Sequence, residues 1–384
     1  MDIKMLFAAL ALTGAISSCS CTNGQAEGNA GENAETAADT AYADSTPLRL
    51  AVAGVTHGHL GEVRRRIGRG DFEIVGVYEK DDRYREKNEL TGHVAPELFF
   101  SNLGKMLDRT RPEVVVAYGS IYDHLAVVEA CAPRHIDVMV EKPLAVSAKH
   151  AEKMAALAEK YGIKVLTNYE TTWYASNTHA MNLVDSGEIG KVVRINVYDG
   201  HQGPQEIGCE QRFLEWLTDP KLNGGGAVVD FGCYGANLAT WLLKGQKPHS
   251  VSAVLKQNKP EVYPNVDDDA TIVLDYPGAV VQIMASWCWP MSRKDMYIYG
   301  LDGYIYQKDG KNMETYTGNG LRQFEAPALQ APYNDSFLYL KAAVRDEITI
   351  APHDQEALEN NVMVVKILEA ARKSAKTGKA VEMD

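Results

Sequence analysis

The sequence predicts two units in series: a doubly wound α/β Rossmann sheet of parallel strands, then an α+β domain on a large, mostly antiparallel, open sheet. Three observations predict it. Short apolar, β-branched runs alternate with helical patterns from Leu48 to Asn168. That rhythm breaks after Asn168, where strand candidates begin to follow one another across tight turns such as Tyr276-Pro277-Gly278 and Leu301-Asp302-Gly303. Alternation of strand with helix implies parallel pairing through crossovers, whereas strand–turn–strand implies antiparallel pairing. Third, a glycine-bearing turn, Gly54 to His59, directly follows the first strand, where a nucleotide-binding sheet places its loop.

The elements follow in order. Leu48-Arg49-Leu50-Ala51-Val52-Ala53 reads as the first strand, with a helix to about Gly68. Phe72 to Val77 is a second strand and 82–91 a second helix. Glu113-Val114-Val115-Val116-Ala117 has the near-continuous β-branched run of a buried strand. A helix over 122–131, a strand over Ile136 to Val140, a helix over 147–161 and a strand over Ile163 to Thr167 complete this unit. The helix over 147–161 aligns Ala151, Met154, Ala158 and Tyr161 on one face. Ligands of such sheets bind at the carboxyl ends of the strands. Beyond it come a helix near 176–186, a strand over 191–199 and a helix over 230–243 led in by Gly224-Gly225-Gly226. Strands over 249–257, 269–275, 279–287 and 295–300 follow. The last helix, from about Asp354 to Thr377, carries a stripe of Leu358, Val362, Val365 and Leu368 and stops at Gly378. The expected boundaries are therefore 47–168 for the Rossmann domain, 169–352 for a substrate and oligomerisation domain, and 353–384 for a terminal helix packing back on the Rossmann domain.

The first 46 residues belong to neither unit. Lys4 precedes an apolar run from Met5 to Leu12 that is too short to span a bilayer, which takes roughly 20 apolar residues. Residues 1–19 therefore read as an export signal, and Ile16-Ser17-Ser18-Cys19 resembles a bacterial lipobox whose Cys19 is lipidated. No Arg precedes Arg49, so a twin-arginine signal is not read. Residues 20–46 are small, polar and acidic, a composition that cannot bury a core and reads as a disordered tether. The expectation is an enzyme lipid-anchored in the periplasm or at the cell surface, touching membrane only through that anchor.

Charge and cysteines narrow the partners. The chain carries 39 Lys and Arg against 51 Asp and Glu, a net charge of −12. Such a surface repels phosphate backbones, which argues against nucleic acid. The six cysteines form no CxxC pair, and His124, His179 and His201 lack metal-ligand spacing, so no metal is expected. Cys131, Cys209, Cys233 and Cys288 are expected as buried free thiols.

Gly54-Val55-Thr56-His57-Gly58-His59 follows the first strand and opens a helix, where free N–H groups attract pyrophosphate. The match to G-x-G-x-x-G is imperfect, because Thr56 and His59 stand where the second and third glycines would be. Glu79 lies at the end of the second strand, 25 positions after Gly54, where a carboxylate accepts hydrogen bonds from ribose hydroxyls and favours NAD. Lys80 and Arg83 beside it leave NADP open.

The strand over Ile136 to Val140 runs into Glu141-Lys142-Pro143, and far downstream stands Gly224-Gly225-Gly226-Ala227-Val228-Val229-Asp230-Phe231-Gly232-Cys233-Tyr234-Gly235-Ala236-Asn237. Together with Ser186-Gly187-Glu188-Ile189-Gly190-Lys191-Val192, these resemble the oxidoreductase family built on glucose–fructose oxidoreductase, inositol dehydrogenase and the rhizopine-catabolism protein. Tyr234 stands where many members have His, and Asn237 where many have Asp; the Tyr and Asn version is similar to the glucose–fructose oxidoreductase type. The resemblance implies an NAD(P)-dependent enzyme acting on a sugar, polyol or glycoside, a cis peptide before Pro143, and a homo-oligomer (dimer or tetramer) paired through the open sheet.

Oxidising a carbinol moves hydride from carbon and a proton from oxygen. Lys142 is placed to hold the reacting oxygen and stabilise alkoxide charge. Tyr234 is the candidate proton carrier, its phenol lowered by a nearby cation such as Lys142. Asp230 orients Lys142, binds a substrate hydroxyl or caps its helix, and Asn237, one turn after Tyr234, binds a further hydroxyl or packs. Glu141, Lys142 and Pro143 join Gly54, Thr56, His57, Gly58, His59 and Glu79 as expected cofactor contacts. Trp173, Trp287 and Trp289 offer ring faces to a sugar or belong to the core. Two alternatives stand beside oxidation: a glycosidase that oxidises transiently and returns the hydride, and a non-catalytic binding relative.

Overall fold

The computed structural model describes residues 46–383, so the export signal, Cys19 and all but the last residue of the tether lie outside the described residues. The first unit is a six-stranded parallel sheet of β1 (Leu48–Ala53), β2 (Phe72–Tyr78), β3 (Phe99–Phe100), β4 (Val114–Ala117), β5 (Asp137–Glu141) and β6 (Val165–Asn168), in the order β3-β2-β1-β4-β5-β6. Its helices are α1 (Leu60–Arg66), α2 (Asp82–Glu86), α3 (Leu103–Thr110), α4 (His124–Cys131) and α5 (Ala148–Tyr161). All four residues of β4 are buried, as its run of valines requires of a central strand covered on both faces. α1 packs on one face through Leu60 and Val63, and α3, α4 and α5 cover the other.

The second unit opens with α6 (Ala175–Asp185), β7 (Val192–Gly200), α7 (Gln211–Leu217), α8 (Ala227–Asp230) and α9 (Gly232–Leu242). Then come β8 (Ser250–Lys256), β9 (Asp269–Asp275), β10 (Val280–Ser286), β11 (Arg293–Gly300), β12 (Tyr304–Gln307), β13 (Asn312–Thr317) and β14 (Gly320–Glu325). α10 (Ser336–Val344), α11 (Leu358–Thr377) and β15 (Val381–Glu382) close the chain. The nine strands run β14-β13-β12-β11-β7-β10-β9-β8-β15; β7 and β10 pair parallel and their neighbours antiparallel. This is the mostly antiparallel sheet the sequence predicts.

Three expectations need correction. The helix expected over 82–91 ends at Glu86, because the Asn88 amide donates to the carbonyls of Tyr84 (2.8 Å) and Arg85 (3.2 Å), which a longer helix would use. The helix expected over 230–243 is two helices broken at Phe231. The terminal helix starts at Leu358 and does not pack on the Rossmann domain alone: α11 lies against β8 and α9 as well as α5, and β15 extends the second sheet beside β8. Cys131 and Cys233 are buried free thiols, whereas Cys209 and Cys288 are only half-buried. Among the described residues no helix is long and apolar enough to cross a membrane.

Candidate active site

Lys142 leaves the carboxyl end of β5 and is buried against the second unit. Its ammonium donates to the Asp230 carbonyl at 3.0 Å and to Asp230 Oδ1 at 2.5 Å. The break at Phe231 makes the first bond available, because it ends α8 at Asp230 and releases that carbonyl from helical pairing. The second Asp230 oxygen accepts Trp287 Nε1–H at 2.9 Å, which fixes the carboxylate. Upstream, Asp267 accepts the Gly226 and Val228 N–H groups at 2.9 and 2.7 Å and seats α8. Gly226 must lack a side chain, since a Cβ there would lie 1.8 Å from the Asp267 carbonyl oxygen. The glycine triplet thus places Asp230. Burial opposes both charges, but each holds the other: Lys142 is raised above the usual lysine range and Asp230 lowered below the carboxyl range. Two of the three ammonium hydrogens are committed to Asp230, leaving one donor for a substrate oxygen.

Tyr234 lies on α9 with its ring 5.0 Å from the Lys142 ammonium, 1% exposed. The expectation that Lys142 lowers its phenol is corrected. Lys142 faces the ring, while burial first, and then Glu170 and Asp199, push the phenol well above its ordinary value. The cation that meets the hydroxyl is Lys294 of β11, at 3.4 Å, and Lys294 is paired with Glu170 at 2.5 Å. Glu170 also accepts the Tyr174 hydroxyl at 2.6 Å; burial opposes its charge, but Lys294 and the Tyr174 hydroxyl together hold it at about 2. Sequence reasoning missed Lys294, Glu170 and Asp199. For Lys294 and Asp199 the signal was a charged residue at an inward strand position that is otherwise apolar, as in Ile195-x-Val197-x-Asp199; Glu170, on a short helical turn, gave none.

The loop before α1 also departs from expectation. Gly54 has φ +84°, and a Cβ would lie 2.5 Å from Gly119 N, so glycine is required there. But the N–H groups that were to meet pyrophosphate are largely used: Val55 donates to Glu79, Thr56 and His57 to the Tyr118 carbonyl, and His59 to His57 Nδ1. Gly58 lies under the Phe213 ring of α7. His57 and His59 turn toward Glu141 instead, with His59 Nδ1 at 3.0 Å and His57 Nε2 at 3.9 Å from the same oxygen. The other Glu141 oxygen accepts the Asn168 amide at 3.0 Å. Burial opposes the Glu141 charge, yet the two histidines hold it at about 2. Burial pushes His57 down and Glu141 raises His59 against it, so His59 is the ring that takes the proton. These three side chains have the atoms to meet a metal, all within 4.8 Å. The hydrogen bond into His57 Nδ1 places the neutral ring's proton on Nε2, however, the nitrogen a metal would need.

Glu79 is 5% exposed, and its oxygens accept Val55 N–H (3.1 Å) and Asp81 N–H (3.0 Å). Each oxygen retains a lone pair for a ribose hydroxyl. Glu79 lines a cavity of about 340 Å³ with Gly54, Thr56, Ser120, Asp123 and Trp216. Glycine at the close approach and a carboxylate at the end of β2 fit a dinucleotide there. Lys80 is paired with Asp123 and Arg83 with Asp81, and the Glu79 carboxylate would repel a 2′-phosphate, which favours NAD. A second cavity, of about 240 Å³, is bounded by His59, Glu62, Arg65, Asn168, Glu170 and Trp173.

The remaining expected contacts fall as follows. The Lys142–Pro143 peptide is cis. Asn237 is fully buried and donates to the Gln355 carbonyl at 2.7 Å, with Asn360 and Asn361 close by. It ties α9 to the segment before α11, the packing role that stood beside hydroxyl binding as an expectation. Trp287 is a core residue, Trp173 borders the second cavity, and the Trp289 ring lies 5.2 Å from the Arg293 guanidinium.

Comparison with known proteins identifies the lineage. Residues 48–169 match the oxidoreductase family with an NAD-binding Rossmann fold, and residues 178–306 match the GFO/IDH/MocA C-terminal domain. The chain is similar to trans-1,2-dihydrobenzene-1,2-diol dehydrogenase of Xenopus tropicalis, 26% identical over 270 residues, 69% of this chain and 77% of that protein. The Bos taurus enzyme is 28% identical over 235 residues, 60% of this chain and 64% of its own length. Many solved structures share the fold. Aldose-aldose oxidoreductase from Caulobacter crescentus, complexed with glycerol, has a TM-score of 0.74 at 19% identity, covering 88% of this chain and 100% of its own. An inositol dehydrogenase homolog from Azotobacter vinelandii, complexed with NAD+, has a TM-score of 0.75 at 16% identity, covering 88% and 98%. With both domains matched, and Lys142, Asp230 and Tyr234 gathered where they meet, the chain belongs to the GFO/IDH/MocA family of NAD-binding oxidoreductases.

Proposed function

We propose that this enzyme moves hydride between a hydroxyl-bearing carbon of a sugar, polyol or glycoside and a tightly held NAD. The observation that carries the reading is the buried Lys142–Asp230–Tyr234 cluster, with one ammonium hydrogen uncommitted. Gly54, Thr56 and Glu79 would hold NAD, which when bound would supply the hydride acceptor or donor. Lys142 points its remaining N–H at the reacting oxygen and stabilises alkoxide charge there. Tyr234 moves the proton. Its protonated phenol serves the direction in which hydride returns, by donating to the new alkoxide. In the oxidative direction it must first ionise, and Lys294 at the hydroxyl is the cation placed to favour the phenolate. The trans-1,2-dihydrobenzene-1,2-diol dehydrogenases to which the chain is similar support oxidation at a hydroxyl-bearing carbon. Incubation with NAD+ and a panel of sugars and polyols, followed at the NADH absorbance, tests it; no reduction with any member would remove the proposal.

One observation favours redox-neutral glycoside cleavage as a second reading. His59, held by Glu141, borders the second cavity and supplies a second acid–base group. Release of aglycone from a glycoside panel without added acceptor tests it.

The lipobox-like Ile16-Ser17-Ser18-Cys19 supports export and lipid anchoring, tested by fractionating Cys19→Ser. An exported enzyme meets little free NAD, which supports a retained cofactor; a Kd near 1 nM is about −12 kcal/mol. Assaying the supernatant of denatured protein for NAD(H) tests it. Pairing through the second sheet is supported by its tyrosine-rich outer face, where Tyr297 stacks on Tyr306 at 3.9 Å and Tyr316 and Leu321 are exposed. Sedimentation of Leu321→Arg tests that pairing.

A further inference from the structure

We infer that α7, from the second unit, latches the cofactor site: it closes over the adenosine end of a bound dinucleotide, and the Tyr84–Glu215 hydrogen bond sets how fast that dinucleotide leaves. The inference rests on the reading of the cavity beside Glu79 as the NAD site, and it assigns retention to a pair of residues that bridges the two units.

The cavity draws its walls from both units. Gly54 and Glu79, at the carboxyl ends of β1 and β2, supply one part, and Arg212, Glu215 and Trp216 of α7 supply another. A helix of seven residues has little stability of its own, so contacts decide where α7 sits. On its inner side the Phe213 ring covers Gly58, and the Trp216 ring lies 5.5 Å from that of His57. At its rim the contacts are polar and reach the first unit. Tyr84 of α2 donates its hydroxyl to Glu215 at 2.7 Å, and Arg83 lies 3.8 Å from the same oxygen. Arg212 pairs with Glu89 at 3.1 Å.

Tyr84 and Glu215 both line the cavity, so their bond closes across it. It does so on the solvent side: Gly54 and Trp216 are buried, whereas Tyr84 is half-buried and Glu215 exposed. A ribose held at Glu79 therefore leaves past this bond. Water can replace the bond as it opens, which makes the rim easier to part than the buried ring contacts. The Tyr84–Glu215 bond spans 131 positions and joins elements of different units, and neither partner touches the Lys142 cluster. Both are positioning residues, acting on how long the cofactor stays.

The test follows release of NADH from the loaded protein by its fluorescence, after mixing with excess NAD+. Wild type, Tyr84→Phe, Glu215→Ala and the double variant are compared, and each is also melted. The two single variants should release NADH about 3–10-fold faster than wild type, the effect of losing one solvated hydrogen bond to a carboxylate. The double variant should release it no faster than Glu215→Ala, because either change already breaks the same bond. A bond serving only the fold would lower the melting temperature and leave release unchanged. Unchanged release in either single variant, or effects that multiply in the double variant, overturns the latch and leaves the NAD reading intact. Wild-type protein that binds no NADH overturns both.

Discussion

Replacing Lys142 separates what the cluster does for the fold from what it does for the reaction. Lys142→Met leaves Asp230 buried at 6% exposure, its Oδ1 without the ammonium and only Oδ2 bonded, to Trp287. Breaking one side of a buried ion pair costs about 3–5 kcal/mol. A loss of that size lowers Tm by roughly 5–10 °C in a protein of this size. Lys142→Met with Asp230→Asn removes both charges and should recover most of that stability. Turnover should not recover, because no donor then faces the reacting oxygen; losing one such donor costs about 10²–10³-fold. Cofactor affinity should change far less than turnover in either variant. Differential scanning calorimetry, NADH production and cofactor titration on the same preparations read the three quantities. A single mutant as stable as wild type would refute the electrostatic account of the pair. A double mutant that regains turnover would refute the catalytic role of Lys142.

Three further outcomes are expected. Tyr234→Phe should fold normally and slow turnover by roughly 10²–10⁴-fold, the cost of a lost acid–base group. Because the phenol is held above its ordinary value, wild-type oxidation should keep rising through the alkaline range, and Tyr234→Phe should abolish that rise in the pH–rate profile. Gly54→Ala should destabilise by about 1–3 kcal/mol, through strain at φ +84° and collision with Gly119, and chemical denaturation with and without NAD checks it. Glu141 at about 2 is depressed, so its stabilisation is fully present above the ordinary carboxyl range and is lost as pH falls through that range toward 2. Calorimetry between neutral and acid pH should therefore show wild type losing about 3 kcal/mol more than Glu141→Gln, and parallel curves would contradict it.

Local chemistry made the first domain legible. The valines of β4 mark a strand buried on both faces, and Glu141-Lys142-Pro143 marks the carboxyl end of β5. The strands β12 to β14 were not read, although Tyr304-Ile305-Tyr306-Gln307 alternates; their aromatic outer face obscures the contrast between polar and apolar on which alternation depends. The site was half legible. Lys142, Asp230 and Tyr234 follow from motifs, but their roles depend on partners that sequence order does not reveal. Lys294 meets Tyr234 from 60 positions away, and Glu170 meets Lys294 across 124. Asn237 could bind a hydroxyl or pack by its place one turn after Tyr234, and the packing partner, the Gln355 carbonyl 118 positions away, is not visible in sequence order. At the nucleotide loop, His57 and His59 turned to Glu141, a pairing visible only once β1 and β5 lie in one sheet.

The most direct test of the oxidoreductase reading is isotope transfer. NAD-loaded protein is incubated with polyols deuterated at each carbinol carbon, then denatured, and the released cofactor is analysed by mass spectrometry. The account predicts deuterium on the nicotinamide ring from one labelled position with wild type, and none with Lys142→Met plus Asp230→Asn. Absence of deuterium in the cofactor from every labelled polyol, in wild-type protein shown to hold NAD, would contradict it.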